Sequence, residues 1–361
     1  MSDTIWKGPN WSKEARLSSQ VWFCMDAATR FILFERWGRE ATVELEFQFM
    51  RQHQLTHFLD GVQKLNLMSD PHPQLCAKYH CLSNLLGGID MGYRDEGERA
   101  WVFYMPPHFA GASPLLPGPA TPAVPIDIMM ANFKAWHANN GVLLGNDRLR
   151  FVATDLIFAG GPFDAGYWDE APRPLGPDER LEIRLGEVRG RPGPPPELGV
   201  ATWPQERRNK ALRKYNAEYG IGGLAEIARR RTMEEAVIIG EASHRAVFVS
   251  WARHLIEEFG IKETRPGART ADLFQKSFEL LQDEFDRHAE GKDQLLVHKR
   301  TRLSVPQYEN WQVPPRPIEE AFARAWTVVS RAVGDPVEVS IVQSRSEGAD
   351  HTIWRLRPTD W

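Results

Sequence analysis

Apolar residues recur every three or four positions along much of the chain, which is the spacing of amphipathic helices. Shorter runs rich in β-branched and aromatic residues lie between these stretches and indicate strands. In the first half the pattern predicts helices at residues 20–37, 40–64 and 126–138, and strands at residues 100–104 and 149–158. The first two helices are separated at Gly38, because glycine favours a helix end.

The second half repeats this order of elements. Helices are predicted at residues 207–231, 233–259, 271–288 and 318–333, and strands at residues 295–304, 337–343 and 351–356. Gly220, Gly222 and Gly223 predict a break within the first of these helices, and Gly260 predicts the end of the second. The repetition indicates an internal duplication. Aligning Gly38 with Gly260 leaves no histidine in the second copy opposite His53 or His57.

Two proline-rich stretches interrupt the pattern. Residues 106–125 hold seven prolines, and residues 172–199 hold seven prolines and five glycines. Proline at this density excludes helix interiors and central strands. We therefore expect an α+β protein with two similar domains, each made of helices packed on a small, mainly antiparallel sheet. The domains are expected at residues 1–171 and 201–361, joined by a linker at residues 172–200. The first stretch is expected to cover a pocket, with His108 on it.

The composition narrows the class of protein. The chain has 361 residues, of which 42% are hydrophobic and 25% charged, and its net charge is −4. Such a charge does not favour nucleic acid or anionic membranes as partners, although basic residues cluster at 207–214 and 229–231. Residues 1–13 lack the apolar core of a signal peptide, and no apolar stretch is long enough to cross a bilayer. Three cysteines are too few for a disulfide scaffold, so a cytoplasmic setting is expected, and a homo-oligomer is compatible with the sequence.

The densest run of metal-ligand residue types lies in the first half. His53 and His57 are four residues apart in a predicted helix, so both imidazoles face one side. Cys76, His80 and Cys81 follow. Zinc and iron accept imidazole and thiolate ligands, so His53, His57, Cys76 and His80 are the predicted metal ligands, with a metal-bound water as base or nucleophile. The alternative is a solvated face for the two helical histidines and small core positions for the cysteines.

A second candidate site needs no metal. Cys76 or Cys81 would be a nucleophile activated by His80 or His137. If residues 76–81 form a strand, Cys76 and His80 share one face but lie roughly 13 Å apart, which is too far for direct proton transfer. The alternative is that the cysteines are buried and unreactive.

A third candidate site follows the helix at residues 126–138. His137 and Arg148 flank a segment rich in asparagine, glycine and aspartate, and they are candidates for a proton carrier and an anion anchor. The alternative is an ordinary helix end with turn residues. Gly87 and Gly88 either allow close approach of a ligand or form a tight turn. They match no phosphate loop, and no nucleotide cofactor is expected.

The segment at residues 234–356 contains a helix that ends at Gly260 and a terminal strand at residues 350–356 (DHTIWRL). In these features it resembles the small α+β domains of the vinyl-reductase-like and aminothiazoline-carboxylate-hydrolase-like group, with the N-terminal half as a diverged copy. The resemblance implies an order of helices, strand, helix and closing strand pair. Such families often place a cysteine near the last strand. This chain has none there, so the resemblance implies no catalytic residue.

These features together predict an enzyme that acts on a small organic substrate in the first half of the chain. A metal-assisted hydrolase or lyase acting at a carbonyl-type centre fits the candidate residues better than hydride transfer, because the sequence lacks a nucleotide-binding fingerprint. One alternative is a ligand- or haem-binding sensor module without turnover. Another is a scaffold whose tryptophan-rich surface binds a protein partner.

Overall fold

A computed structural model describes residues 12–105, 125–187, 192–196 and 203–359. The fold is α+β with two separate sheets, which confirms the predicted class. Its described residues form two compact units. The first unit contains those between residues 37 and 212, and the second contains residues 14–36 and 213–359. The proline-rich segment expected to cover a pocket, including His108, lies outside the described residues.

The first unit contains a five-stranded sheet and the helices packed on it. Its elements are the second part of α1 (Lys13–Lys64), α2 (His72–Leu86), β1 (Met91–Asp95), β2 (Ala100–Tyr104), α3 (Ile126–Ala135), α4 (Asn140–Leu144), β3 (Leu149–Asp155), β4 (Asp164–Glu170) and β5 (Leu181–Ile183). Gly38 has a φ of 78° and interrupts α1, as predicted. The strand order is β1-β2-β4-β3-β5, and every pair is antiparallel except β3 and β5. β5 lies within the segment that we expected to be a linker.

The second unit contains a four-stranded antiparallel sheet. Its elements are residues 14–36 of α1, most of α5 (Gln205–Arg230), α6 (Met233–Phe259), α7 (Ala268–Glu279), β6 (Glu284–Glu290), β7 (Asp293–Arg300), α8 (Arg316–Ala332), β8 (Val337–Gln343) and β9 (Thr352–Pro358). The strand order is β6-β7-β9-β8. The predicted pairing of the last two strands is confirmed.

Both units contain two β-hairpins joined by a helical segment. In each sheet the four hairpin strands take the order first, second, fourth, third. The residue pairing also corresponds, since Met91 pairs with Tyr104 in one first hairpin and Phe285 pairs with His298 in the other. A β-bulge occurs at the same place in β3 and β8. The two units therefore share one topology, as an internal duplication predicts.

The shared topology also sets the register between the two copies. Asn66 follows α1 and Gly260 follows α6, and both have left-handed backbone angles (φ 59° and 63°). Their separation along the chain equals that of the paired positions Met91 and Phe285. The alignment of Gly38 with Gly260 was therefore wrong, because it matched a break inside one helix with the end of another.

Two predicted elements differ from the structure in type. The helix expected over residues 271–288 ends at Glu279, and β6 begins at Glu284. Gln282 has a left-handed φ of 62° and makes the turn between them, which a helical pattern alone does not reveal. Residues 76–81, considered above as a strand, lie within α2. Pro73 occupies its first turn, where proline is well tolerated.

The glycines of α5 do not break the helix, contrary to our prediction. A Cβ atom at Gly220 would lie 3.1 Å from the indole ring of Trp22, and one at Gly223 would lie 3.3 Å from the methyl group of Thr29. These glycines therefore allow close packing against the first part of α1. Glycine in a helix interior costs roughly 1 kcal/mol relative to alanine, which tertiary packing can offset.

Candidate metal and polar site in the first unit

The second part of α1 carries His53 and His57 on one face. Their ring centroids are 4.5 Å apart and their planes are nearly perpendicular. Their potential ligand nitrogens lie within 4.8 Å of each other. His53 is 5% exposed, whereas His57 is half-buried. Two imidazoles at this spacing can bind one metal ion. In the structural register the second unit has Val247 and Trp251 at these positions, so it lacks the histidine pair.

Aromatic side chains surround the buried member of this pair. The His53 ring lies 5.0 Å from the indole ring of Trp136 and 6.0 Å from the ring of Phe49, measured between centroids. The next residue, Gln54, donates hydrogen bonds from Nε2 to the carbonyl oxygen of Trp136 (2.6 Å) and to Oδ1 of Asn140 (2.7 Å). These bonds fix α1 against Trp136, and therefore also fix the wall on which His53 packs.

Asn140 is the centre of a buried hydrogen-bond network. Its Oδ1 accepts from Gln54, so its Nδ2 is the donor in the 2.9 Å contact with Nε2 of His80. The same amide reaches the thiol of Cys76. Arg51 donates to Oε1 of Gln54, which fixes the orientation of that amide as well. This direction of bonding requires that His80 carries its proton on Nδ1.

His80 stacks on a second buried histidine and a tryptophan. The centroid of its ring is 4.2 Å from that of His137 and 4.9 Å from that of Trp168, and the three rings are within about 20° of parallel. Nε2 of His137 lies 2.6 Å from the hydroxyl of Tyr104. His80 of α2, Tyr104 of β2, Trp168 of β4 and His137 of the turn after α3 thus form one compact buried cluster on the sheet.

Burial controls the protonation of this cluster. Burial lowers the pKa of His80 to about 3, and burial together with the neighbouring His80 lowers the pKa of His137 well below its usual value. Burial also raises the pKa of the Cys76 and Cys81 thiols above their usual range. At neutral pH the imidazoles are therefore uncharged and the thiols are protonated, which does not favour the roles of general acid or thiolate nucleophile.

The structure divides the predicted metal ligands between two places. His53 and His57 lie together, whereas Cys76 and His80 face Asn140. The indole ring of Trp136 contacts both groups, since its centroid is 5.0 Å from that of His53 and 6.0 Å from that of His80. The predicted cysteine–histidine pair and His137 therefore belong to the buried cluster.

Arg148 and the paired glycines lie apart from both groups. Arg148 is exposed and donates to Glu170 at 2.6 Å, while Asn146 bonds the other oxygen of the same carboxylate. Its charge is therefore already paired at the surface. Gly88 has a φ of 88° and forms the turn after α2. This agrees with the tight turn considered for Gly87 and Gly88, and not with close approach of a ligand.

Sequence reasoning missed Gln54, Tyr104 and Trp168. Gln54 lies in a predicted helix and Tyr104 in a predicted strand, whereas Trp168 lies in β4, for which no element was predicted. Their partners in the cluster lie far away along the chain.

 
Gln54 and Asn140 are 86 residues apart in the sequence, and Tyr104 and His137 are 33 apart. The only local signal is a polar residue within an otherwise apolar face, as Gln54 is on α1.

Two further observations concern membrane helices and similar proteins. Among the described residues, no helix is both long and apolar enough to cross a membrane. Comparisons with protein-family models, curated proteins and solved structures found no match. The resemblance to vinyl-reductase-like domains therefore stays a prediction.

Proposed function

We propose that His53 and His57 hold a divalent transition-metal ion, zinc or iron, which assists hydrolysis or a lyase reaction at a carbonyl-type centre of a small organic substrate. The observation that carries this proposal is the spacing of the two side chains, whose ligand nitrogens lie within 4.8 Å of each other on one helix face. Imidazole nitrogen is a ligand for both metals, and catalytic sites keep positions open for water or substrate.

The surroundings of the pair suit a preorganised site. His53 is buried against Trp136 and Phe49, which limits the orientations of its ring. His57 is half-buried, so solvent and a substrate have access to this side of the pair. Gln54 acts as a positioning residue, because its two hydrogen bonds join α1 to the backbone of Trp136 and to Asn140. Groups behind the ligands that fix their orientation commonly tune a metal site.

The choice of reaction follows from the available groups. A divalent ion lowers the pKa of a bound water and polarises a carbonyl oxygen. In hydrolysis the oxygen of water bonds to the carbonyl carbon, the bond to the leaving group breaks, and the leaving group takes up the proton. This chemistry needs no nucleotide cofactor, and the sequence contains no nucleotide-binding fingerprint.

An ester hydrolysis assay tests the proposal. The full chain, loaded with zinc, is assayed with p-nitrophenyl acetate, an activated ester. We expect turnover above background that is lost in His57→Ala and on addition of a chelator, and retained in His288→Ala, which changes an exposed histidine on β6. Equal activity in the wild type and His57→Ala would contradict the proposal.

The second candidate function is a ligand- or haem-binding module without turnover. The observation that favours it is the burial of His80, His137 and Cys76, which leaves these groups uncharged at neutral pH. An absorption spectrum of the purified protein tests for haem directly. Metal binding without hydrolysis of any activated ester would favour this second candidate.

A further inference from the structure

The second unit contains an open cavity of about 490 Å³ at the start of α8. Its lining includes the apolar residues Val313 and Pro315 and the charged residues Arg316, Arg345 and Glu347, with Ser346 between the last two. Cavities of roughly 300–1,000 Å³ that combine apolar walls with a few polar groups are typical of small-molecule sites. Nothing in the first-unit site uses this cavity.

The two arginines of the cavity differ in their partners. Arg316 donates to Glu320 and also pairs with Glu347, so two carboxylates share this one guanidinium. Arg345 bonds through its backbone N–H to Thr352. Within the part of the chain that the structure describes, its guanidinium has no carboxylate in ion-pair range. A half-buried guanidinium in this state is suited to bind an anion.

A chain of hydrogen bonds fixes the serine on the cavity wall. Ser346 Oγ lies 2.7 Å from Ser344 Oγ, and Ser344 Oγ donates to Oε2 of the buried Glu319 at 2.5 Å. Thr352 donates to the other oxygen of Glu319 at 2.7 Å. Burial raises the pKa of the Glu319 carboxyl, and the two donated bonds counter that rise.

The number of available protons fixes the role of Ser346. Ser344 donates its single hydroxyl proton to Oε2 of Glu319. Ser346 must then be the donor in its contact with Ser344, and its hydroxyl oxygen, at the cavity lining, keeps its lone pairs as acceptors. A ligand beside Arg345 therefore meets a cation and, next to it, a hydrogen-bond acceptor.

The fold itself does not require these polar groups. In the first unit, the short helical turn after β3 is Ile157–Ala159, which corresponds to Arg345–Glu347 after β8. α3 begins with Ile126, whereas α8 begins with Arg316. The same topology is thus built without the arginines and the serine, which favours a binding role for them in the second unit.

We infer that this cavity binds a small organic carboxylate that also carries a hydroxyl or amino group, with Arg345 as the partner of the carboxylate and Ser346 as the acceptor for the donor group. The apolar residues Val313 and Pro315 would contact the carbon skeleton. This inference does not depend on metal binding in the first unit.

Calorimetric titration of the full chain with three related probes tests this inference. Mandelate has both groups, phenylacetate lacks the hydroxyl, and methyl mandelate lacks the charge. We expect mandelate to bind more tightly than either of the others. Arg345→Gln should weaken mandelate binding about tenfold or more, as expected for loss of a charge-assisted bond. The control Arg331→Gln, at an exposed position near the end of α8, should leave it unchanged.

A second variant isolates the acceptor. Ser346→Ala should weaken the binding of mandelate but not that of phenylacetate, because only mandelate donates to the hydroxyl. The inference is overturned if mandelate and methyl mandelate bind equally, or if Arg345→Gln binds mandelate as the wild type does. Failure of mandelate to bind the folded wild type at tens of millimolar would overturn it as well.

Discussion

Acid should destabilise this protein through histidines that are buried in the neutral form. His80 in the first unit and His244 in the second are both almost fully buried, and burial lowers the pKa of each to about 3. The ring of His244 stacks on Phe322 at 4.1 Å and accepts a hydrogen bond from Nε1 of Trp326 at 2.8 Å. Among the residues that the structure describes, no carboxylate pairs with either ring to stabilise an imidazolium.

The sign and size of the effect follow from linkage between protonation and folding. A histidine in the unfolded chain has a pKa of about 6.5, so below that pH the unfolded state binds a proton that the folded state does not. Stability is therefore fully present above about pH 6.5 and falls as the pH falls toward the folded pKa of about 3. Between pH 7 and pH 5, each such histidine should lower the free energy of unfolding by about 2 kcal/mol.

Urea unfolding at pH 7 and pH 5, followed by circular dichroism, measures this difference. In His80→Leu and in His244→Leu, the loss of stability between the two pH values should be about 2 kcal/mol smaller than in the wild type, whatever each variant costs at pH 7. The control His288→Gln changes an exposed histidine and should keep the wild-type loss. If His80→Leu lost as much stability as the wild type between pH 7 and pH 5, the account of a buried, neutral His80 would be refuted.

Three further outcomes are expected. Asn140→Leu leaves Gln54 and His80 without their partner, and urea unfolding should show a loss of about 3 kcal/mol; a loss below 1 kcal/mol would contradict the network. In Gly166→Ala the new Cβ would lie 2.3 Å from the ring of Phe151, so thermal unfolding should show a loss of about 2 kcal/mol or more, and an unchanged midpoint would contradict the packing. Ellman's reagent should label the thiols only after the protein unfolds, and rapid labelling of the folded protein would contradict their burial. The thiols are those of Cys24, Cys76 and Cys81.

Local patterns in the sequence predicted much of the fold. The helix at Met233–Phe259 and the strands at Ala100–Tyr104 and Val337–Gln343 agree with the structure in both type and bounds. The helix has a helical period and ends before Gly260, and the strands are short runs rich in β-branched and aromatic residues. The 271–288 helix failed where a left-handed turn at Gln282 separates helix from strand. Such a turn needs no glycine, so composition does not reveal it.

The assignment of elements to units could not be predicted from the sequence. Residues 14–36 precede the first sheet in the chain but belong to the second unit, where Trp22 packs on Phe248 and Phe278. These contacts join residues more than 200 positions apart, and no local pattern encodes them. β5 likewise lies in a proline-rich stretch that indicated a linker, and only its pairing with β3 identifies it as a strand.

The candidate site was predicted in part. The spacing of His53 and His57 was enough to place both imidazoles on one helix face, as the structure has them. The positions of Cys76 and His80 could not be predicted, because they depend on which face of α2 packs against Asn140. The roles of all these residues stay predictions until they are tested.

Metal content is the most direct test of the central claim. The full-length protein, purified without chelators, is analysed for zinc and iron alongside the double variant His53→Ala/His57→Ala and the control His288→Ala. The account predicts near-stoichiometric metal in the wild type and the control, and its loss in a folded double variant. Folded wild type without metal, even after incubation with zinc and with iron, would contradict the claim, and so would equal metal content in the double variant.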